Sequence, residues 1–139
     1  MRYLAPLGRL AFTAIFLVAP LGHFAPQTVA YAAQQGVPFA GFLVPASGLL
    51  ALAGGLSVLF GYHARLGAWA LVVFLVPVTL TLHAFWAVQD PMMAQLQQAM
   101  FLKNLALLGG ALLVAYHGAG PVSVDARRAP VLRGDSALA

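Results

Sequence analysis

The sequence predicts an all-α fold: an integral membrane bundle of four transmembrane helices, with a short interfacial helix between the first two spans. Of its 139 residues, 62% are apolar and only 7% are charged, whereas soluble domains have about a quarter of their residues charged. The chain also contains four apolar segments of the roughly 20 residues that a helix needs to cross a hydrocarbon core about 30 Å thick.

The four predicted spans and the segments around them leave room for one transmembrane domain. The spans are residues 4–24, 39–62, 66–88 and 96–116. We expect the domain to cover residues 1–125. Residues 126–139 contain Pro, Gly and charge with little apolar pattern, which predicts a flexible tail without a packed core.

The basic residues predict the orientation of the spans. Arg2 and Arg9 lie at the start of the first span, Arg65 lies in the turn between the second and third, and three more arginines lie in the tail. The connections at residues 25–38 and 89–95 contain no Lys or Arg. Basic residues mark the cytoplasmic side of bacterial membrane proteins. We therefore expect a multi-pass protein of the inner (plasma) membrane with both termini in the cytoplasm.

This orientation gives a first testable prediction. A fluorescent reporter that matures only in the cytoplasm should be active at either terminus, and a periplasmic phosphatase should be active when inserted within residues 25–38. Activity of the phosphatase at the C-terminus would contradict the predicted topology. As a control, an enzyme that is active only in the cytoplasm should be active at either terminus and inactive within residues 25–38.

The connection at residues 25–38 predicts the short interfacial helix. Pro26 suits a first helical position, residues 27–35 favour a helix, and Gly36-Val37-Pro38 ends it. Because the segment carries no charge, it suits the lipid interface. It either covers the end of the bundle or forms a lid over a ligand. Within the spans, Pro45 and Pro77 should kink their helices and open space beside them.

Polar side chains within the predicted spans are candidates for function, because ionisable groups in lipid are energetically expensive. Lys103 lies about seven residues into the fourth predicted span, roughly 10 Å below its outer end. The five candidate ligand-binding residues all fall in the outer half of the bundle: His23, His83, Trp86, Lys103 and Asn104. His83 and Trp86, three positions apart, would share a helical face. Alternatively, Lys103 extends its ammonium to the interface and Trp86 belongs to an aromatic belt.

Several function classes are excluded or disfavoured by the sequence. Without Cys, there are no disulfides or thiolate metal sites, and no metal site is predicted. The net charge is +4, but the basic residues form no cluster with interleaved aromatic residues, so no nucleic-acid binding is expected. No soluble-enzyme motif and no catalytic residue can be identified. The spans contain no carboxylate, which disfavours a small-molecule carrier. A haem b between His23 and His83 is a further alternative, but their spacing does not favour it.

Several motifs resemble the DoxX family of small membrane proteins. They are Gly22-His23, Gly54-Gly55, His83-Ala84-Phe85-Trp86, and the run Phe-Leu-Lys-Asn-Leu-Ala-Leu-Leu-Gly-Gly at residues 101–110. The resemblance covers residues 4 to about 128. One departure is Ala51, a position at which many members carry Glu, so chemistry that needs this carboxylate is in doubt here.

The resemblance implies an accessory membrane subunit or partner of a quinone-linked redox system, and not an enzyme on its own. The family is named after a small subunit linked to a quinol oxidase. A quinone-sized pocket would use His83 to hydrogen-bond a carbonyl, Lys103 to favour the reduced anion and Trp86 to stack on the ring. The expected partners are the bilayer and other membrane or redox subunits. The alternative is a structural or assembly protein without ligand or catalytic activity.

Overall fold

The computed structural model describes residues 3–128, and within them the chain is helical without strands. Four of the helical segments are long and apolar enough to cross a membrane, which confirms the predicted fold class. The elements, in chain order, are α1 (Leu4–Val18), which continues as a 3₁₀ helix (Ala19–Phe24), α2 (Pro26–Gln34), α3 (Ala40–Phe60), α4 (Ala64–Leu82), a 3₁₀ turn (Phe85–Ala87), α5 (Pro91–His117) and α6 (Val124–Arg128).

The two ends of the bundle differ in what they carry. The predicted interfacial helix is present as α2 and lies at one end with the 3₁₀ turn (Phe85–Ala87); we call this the loop end. The opposite end carries Leu4 and the chain after His117, and we call it the terminal end. There the side chain of Arg9 bonds to the carbonyl of Val122. Both described ends of the chain therefore lie together, as an even number of spans requires.

Small residues bring the central helices α3 and α4 close together. A Cβ added to Gly54 would lie 2.9 Å from the carbonyl oxygen of Gly67 on α4. Gly55 faces α1 instead, where an added Cβ would lie 2.9 Å from Phe16 Cβ. In a membrane, such close approach gains dispersion energy that larger side chains would prevent. Gly110 also faces a neighbour, Phe12, but an added Cβ on Gly109 would meet no atom within 4 Å.

The fourth span begins five residues earlier than the sequence analysis predicted. Asp90 accepts a hydrogen bond from the backbone N–H of Met93 at 2.8 Å, and Pro91 occupies the first helical position. Both features stabilise a helix N-terminus. Lys103 consequently lies twelve residues into α5, about 18 Å along its axis and not about 10 Å.

The third span ends its regular helix earlier than predicted, at Leu82. Pro77 has no N–H, and its carbonyl accepts from the hydroxyl of Thr81 at 2.7 Å. After Leu82 the backbone of His83 leaves the helical conformation, and the chain continues into the 3₁₀ turn (Phe85–Ala87). The prediction that His83 and Trp86 share one helical face is therefore wrong.

The chain after α5 folds back over the terminal end. The backbone N–H of Asp125 donates to the carbonyl of Gly61 at 2.7 Å, and the Arg128 guanidinium lies 4.6 Å from the centre of the Tyr62 ring. Helix α6 thus continues past the expected domain boundary at residue 125. The predicted flexible tail lies mostly at residues 129–139, outside the described residues.

Candidate functional site

Two cavities lie at the loop end, on either side of His23. The 3₁₀ helix (Ala19–Phe24) carries His23. The Cβ of His23 lies 2.8 Å from where a Cβ on Gly48 would be. Only a glycine at position 48 leaves room for this approach. Both cavities are lined by His23 and by Thr28, which lies on α2. Helix α2 therefore covers two cavities at the loop end of the bundle.

The first cavity, of about 310 Å³, lies between α2, α3 and α4 and is almost entirely apolar. Pro77, which lies inside α4, is one of the residues that line it. The hydroxyls of Ser47 and Thr81 face this region, but each donates to a carbonyl of its own helix at 2.7 Å. This cavity therefore suits a hydrocarbon group and offers few polar contacts to a ligand.

The second cavity, of about 250 Å³, lies between α2, α4, α5 and the end of the first span. Its walls include Phe16 and Phe74, and its polar lining is formed by His23, Thr28, Tyr31, His83, Lys103 and Asn104. The structure thus brings together four of the five candidate residues. The polar lining distinguishes this cavity from the first one.

The His23 ring lacks hydrogen-bond partners among the described residues, and its Nδ1 is fully buried. The ring packs against Phe74, with the ring centres 5.7 Å apart and the planes tilted by 58°. Leaving a buried polar group unpaired destabilises a protein by about 1–3 kcal/mol. Within the described residues, the protein thus leaves the hydrogen-bonding capacity of this ring unused.

His83 belongs to a short chain of hydrogen bonds that links two residues of the second cavity wall, His83 and Tyr31, through Gln97. Its Nδ1 lies 2.8 Å from Gln97 Oε1, and Gln97 Nε2 donates to the Tyr31 hydroxyl at 3.5 Å. Because an amide oxygen only accepts, Nδ1 carries the proton, and in the neutral ring Nε2 remains an acceptor. Tyr31 was not among the candidate residues, although it lies one helical turn after Thr28 on the same face of α2.

Lys103 and Asn104 are neighbours on α5, and both line the second cavity. Asn104 is 6% exposed, and its amide has no hydrogen-bond partner among the described residues. Lys103 is exposed at the edge of the cavity, where its ammonium donates to Met100 Sδ at 3.4 Å. No described carboxylate pairs with it. Both side chains therefore keep donors available to a ligand.

Trp86 does not line either cavity. It is 60% exposed and packs edge-on against Phe85 and Phe101, with ring centres 5.2 and 5.8 Å away. This position fits the alternative of an aromatic belt at the membrane interface. The described residues contain no group of three or more His, Asp or Glu side chains that would hold a metal ion.

Two family models and one relative match this chain. A family model described as DoxX matches residues 4–84, and one described as the SURF4 family matches residues 47–129. The chain is 32% identical over 121 residues to a protein of Escherichia coli (strain K12) named inner membrane protein YqjF. The aligned region covers 86% of this chain and 87% of the relative. No solved structure matches the chain significantly.

Proposed function

Since the chain belongs to the DoxX family, we propose that it is an accessory component of a quinone-linked membrane redox system, and that its loop-end cavities bind a quinone-class lipid. The observation that carries the proposal is the His23 ring, which lies between the two cavities without a hydrogen-bond partner among the described residues. A quinone presents a flat ring with two carbonyl acceptors, joined to a long hydrocarbon chain.

The second cavity has the donors that a quinone ring requires. Quinone carbonyls only accept hydrogen bonds, whereas a neutral His23 donates from one nitrogen and the Asn104 amide donates from its NH₂ group. Lys103 supplies a positive charge that favours a reduced, anionic form. When the ring is reduced to a quinol, its hydroxyl can donate to the free nitrogen of His83.

The first cavity suits the hydrocarbon chain of the same ligand. Its walls are almost entirely apolar, and the hydroxyls of Ser47 and Thr81 already bond to backbone carbonyls. Because His23 lines both cavities, a ligand whose ring bonds to His23 can place its chain on the opposite side. Together the cavities accommodate a ligand with a polar head and an apolar tail, as is typical of lipid sites.

Binding of a short-chain ubiquinone to the protein in nanodiscs tests this proposal. We expect His23→Leu and Asn104→Leu each to weaken binding about tenfold, the effect of one lost hydrogen bond of roughly 1.4 kcal/mol. Trp86→Leu is the matched control and should leave binding unchanged, since Trp86 lies outside both cavities. Absence of binding by the unaltered protein, or equal losses in all three variants, would refute the proposal.

A structural or assembly role remains the second candidate, and the surface of α5 favours it. Of the 27 residues in this helix, only Asn104 and Ala111 are buried. Most of α5 is thus left to lipid or to another membrane protein. If this candidate is correct, the protein co-purifies with other subunits in mild detergent, and His23→Leu leaves that association intact.

A further inference from the structure

Lys103 is a positively charged side chain in the middle of the last membrane span. Twelve residues of α5 precede it and fourteen follow it, and this helix is long and apolar enough to cross a membrane. We propose that the exposed face of α5 beside Lys103 binds a transmembrane helix of another membrane protein, one that carries an Asp or Glu at the same depth. The inference rests on the proposed role as an accessory component and specifies the chemistry of its partner.

The depth of Lys103 is the first step of the reasoning. A hydrocarbon core is about 30 Å thick, so a residue near the middle of a spanning helix lies about 15 Å from either interface. The Lys103 ammonium donates to Met100 Sδ at 3.4 Å, one helical turn nearer the loop end. One turn shortens the distance to the interface by only about 5 Å. Extension of the side chain along the helix therefore leaves the charge inside the hydrocarbon layer.

The chain itself has no acidic side chain at the depth of Lys103. Charged groups within spans pair with one another, because an isolated charge in lipid is energetically expensive. The sequence contains three acidic side chains, Asp90, Asp125 and Asp135, and their positions all lie outside the four spans. A second copy of this chain therefore has no carboxylate to place beside Lys103. The charge complementarity requires a different protein as the partner.

The surface next to Lys103 has room for a neighbouring helix. Ala99 and Ala106 are exposed, and they lie one turn before and one turn after Lys103 on the same face of α5. Gly109 is also exposed, and a Cβ added there would meet no atom within 4 Å. Small side chains let transmembrane helices approach closely. A helix along these residues would bring its carboxylate to the Lys103 ammonium, at the edge of the second cavity.

Association with a synthetic helix in nanodiscs tests the proposal. The probe is a peptide of about 20 Leu and Ala residues with one central Glu, and the control peptide carries Gln at that position. Fluorescence energy transfer between labelled protein and peptide reports binding. We expect the unaltered protein to bind the Glu peptide about tenfold more tightly than the Gln peptide. Lys103→Met should bind both peptides equally, whereas Lys103→Arg should retain the preference.

Ala106→Ile tests the face of α5, with Ala53→Ile as the matched control. Ala53 is also an exposed alanine within a span, but it lies on α3. Ala106→Ile should weaken binding of the Glu peptide about tenfold, and Ala53→Ile should leave it unchanged. Because Ala106 lines neither loop-end cavity, Ala106→Ile should not alter ubiquinone binding. Failure of partner binding is thus distinguishable from failure of the quinone proposal.

The natural partner is identified by a photo-reactive amino acid at the exposed position of Leu102 in native membranes. The crosslinked protein should carry an Asp or Glu near the middle of one of its spans. Lys103→Asp should abolish the crosslink, and changing the partner's carboxylate to Lys should restore it. Equal binding of the Glu and Gln peptides, a Glu preference that persists in Lys103→Met, or a crosslinked partner without an acidic residue in its spans would overturn the proposal.

Discussion

Replacing Gly61 by alanine is expected to lower the free energy of unfolding by about 2–4 kcal/mol, combining a left-handed backbone with overpacking. Gly61 ends α3 with φ of +64°, a conformation that side chains with a Cβ rarely adopt. An added Cβ would overlap Arg9 Nη1 and Ser123 Cβ and would lie 2.8 Å from Ala119 Cβ. The carbonyl of Gly61 also accepts a hydrogen bond from the backbone N–H of Asp125. The substitution therefore disturbs the junction of α1, α3 and the C-terminal segment.

Gly36→Ala is the matched control for this prediction. Gly36 has φ of +82°, but an added Cβ there would meet no atom within 4 Å. It should destabilise the protein by only about 1 kcal/mol, the effect of the left-handed backbone alone. Thermal unfolding in one detergent, followed by circular dichroism, gives the comparison. Equal losses in the two variants would show that the contacts around Gly61 contribute nothing.

Replacing Asp125 by alanine should also destabilise the terminal end, by about 2–4 kcal/mol. The Asp125 carboxylate accepts from His63 N at 2.8 Å and Ala64 N at 3.0 Å, at the first residues of α4. Asp125 therefore caps α4 from a distant part of the chain. The loss of an N-cap lowers the free energy of unfolding by about 1–2 kcal/mol. The remainder comes from the buried Arg9, which would lose the carboxylate at its end of the bundle.

Asp90→Ala is the control for the capping effect. Asp90 is exposed and caps α5 through one hydrogen bond, from the N–H of Met93. We expect it to reduce stability by about 0.5–1 kcal/mol, as typical for an exposed cap. If both variants lose the same stability, Asp125 acts as a helix cap only and the charge of Arg9 is compensated in another way.

The pH dependence of stability gives an independent measurement of Asp125. Its pKa is lowered from 3.8, first by the hydrogen bond from the N–H of Ala64, and also by the N–H of His63 and the nearby charges of His63 and Arg128, with burial opposing. A depressed pKa in the folded state means that the stabilisation is complete above pH 3.8 and is lost as the pH falls through the lowered value. The unaltered protein should therefore lose stability in this acidic range, and Asp125→Ala should lose less.

The sequence by itself determined the four spans, the interfacial helix α2 and the end of the bundle where the polar candidates gather. These features follow from local properties. A backbone in lipid must satisfy its own hydrogen bonds, so an apolar segment of sufficient length has to be a helix. The sequence also placed His23, Lys103 and Asn104 at the loop end of the bundle, although it put Lys103 too close to the start of its helix. The start of α5 was missed, although Asp90 and Pro91 are a recognisable start signal.

Only the tertiary structure decided which polar groups find partners. His83 bonds to Gln97, and the Asp125 carboxylate caps a helix that begins 61 residues earlier in the chain. The missing partners of His23 and Arg9 are equally a result of packing. Hydrophobic periodicity specifies which segments are buried but not the rotation of each helix about its axis, which depends on the fit of side chains from distant segments. The end of α4 at Leu82 also places Trp86 outside the cavities, and the close packing of the 3₁₀ helix (Ala19–Phe24) against Gly48 leaves His23 between them.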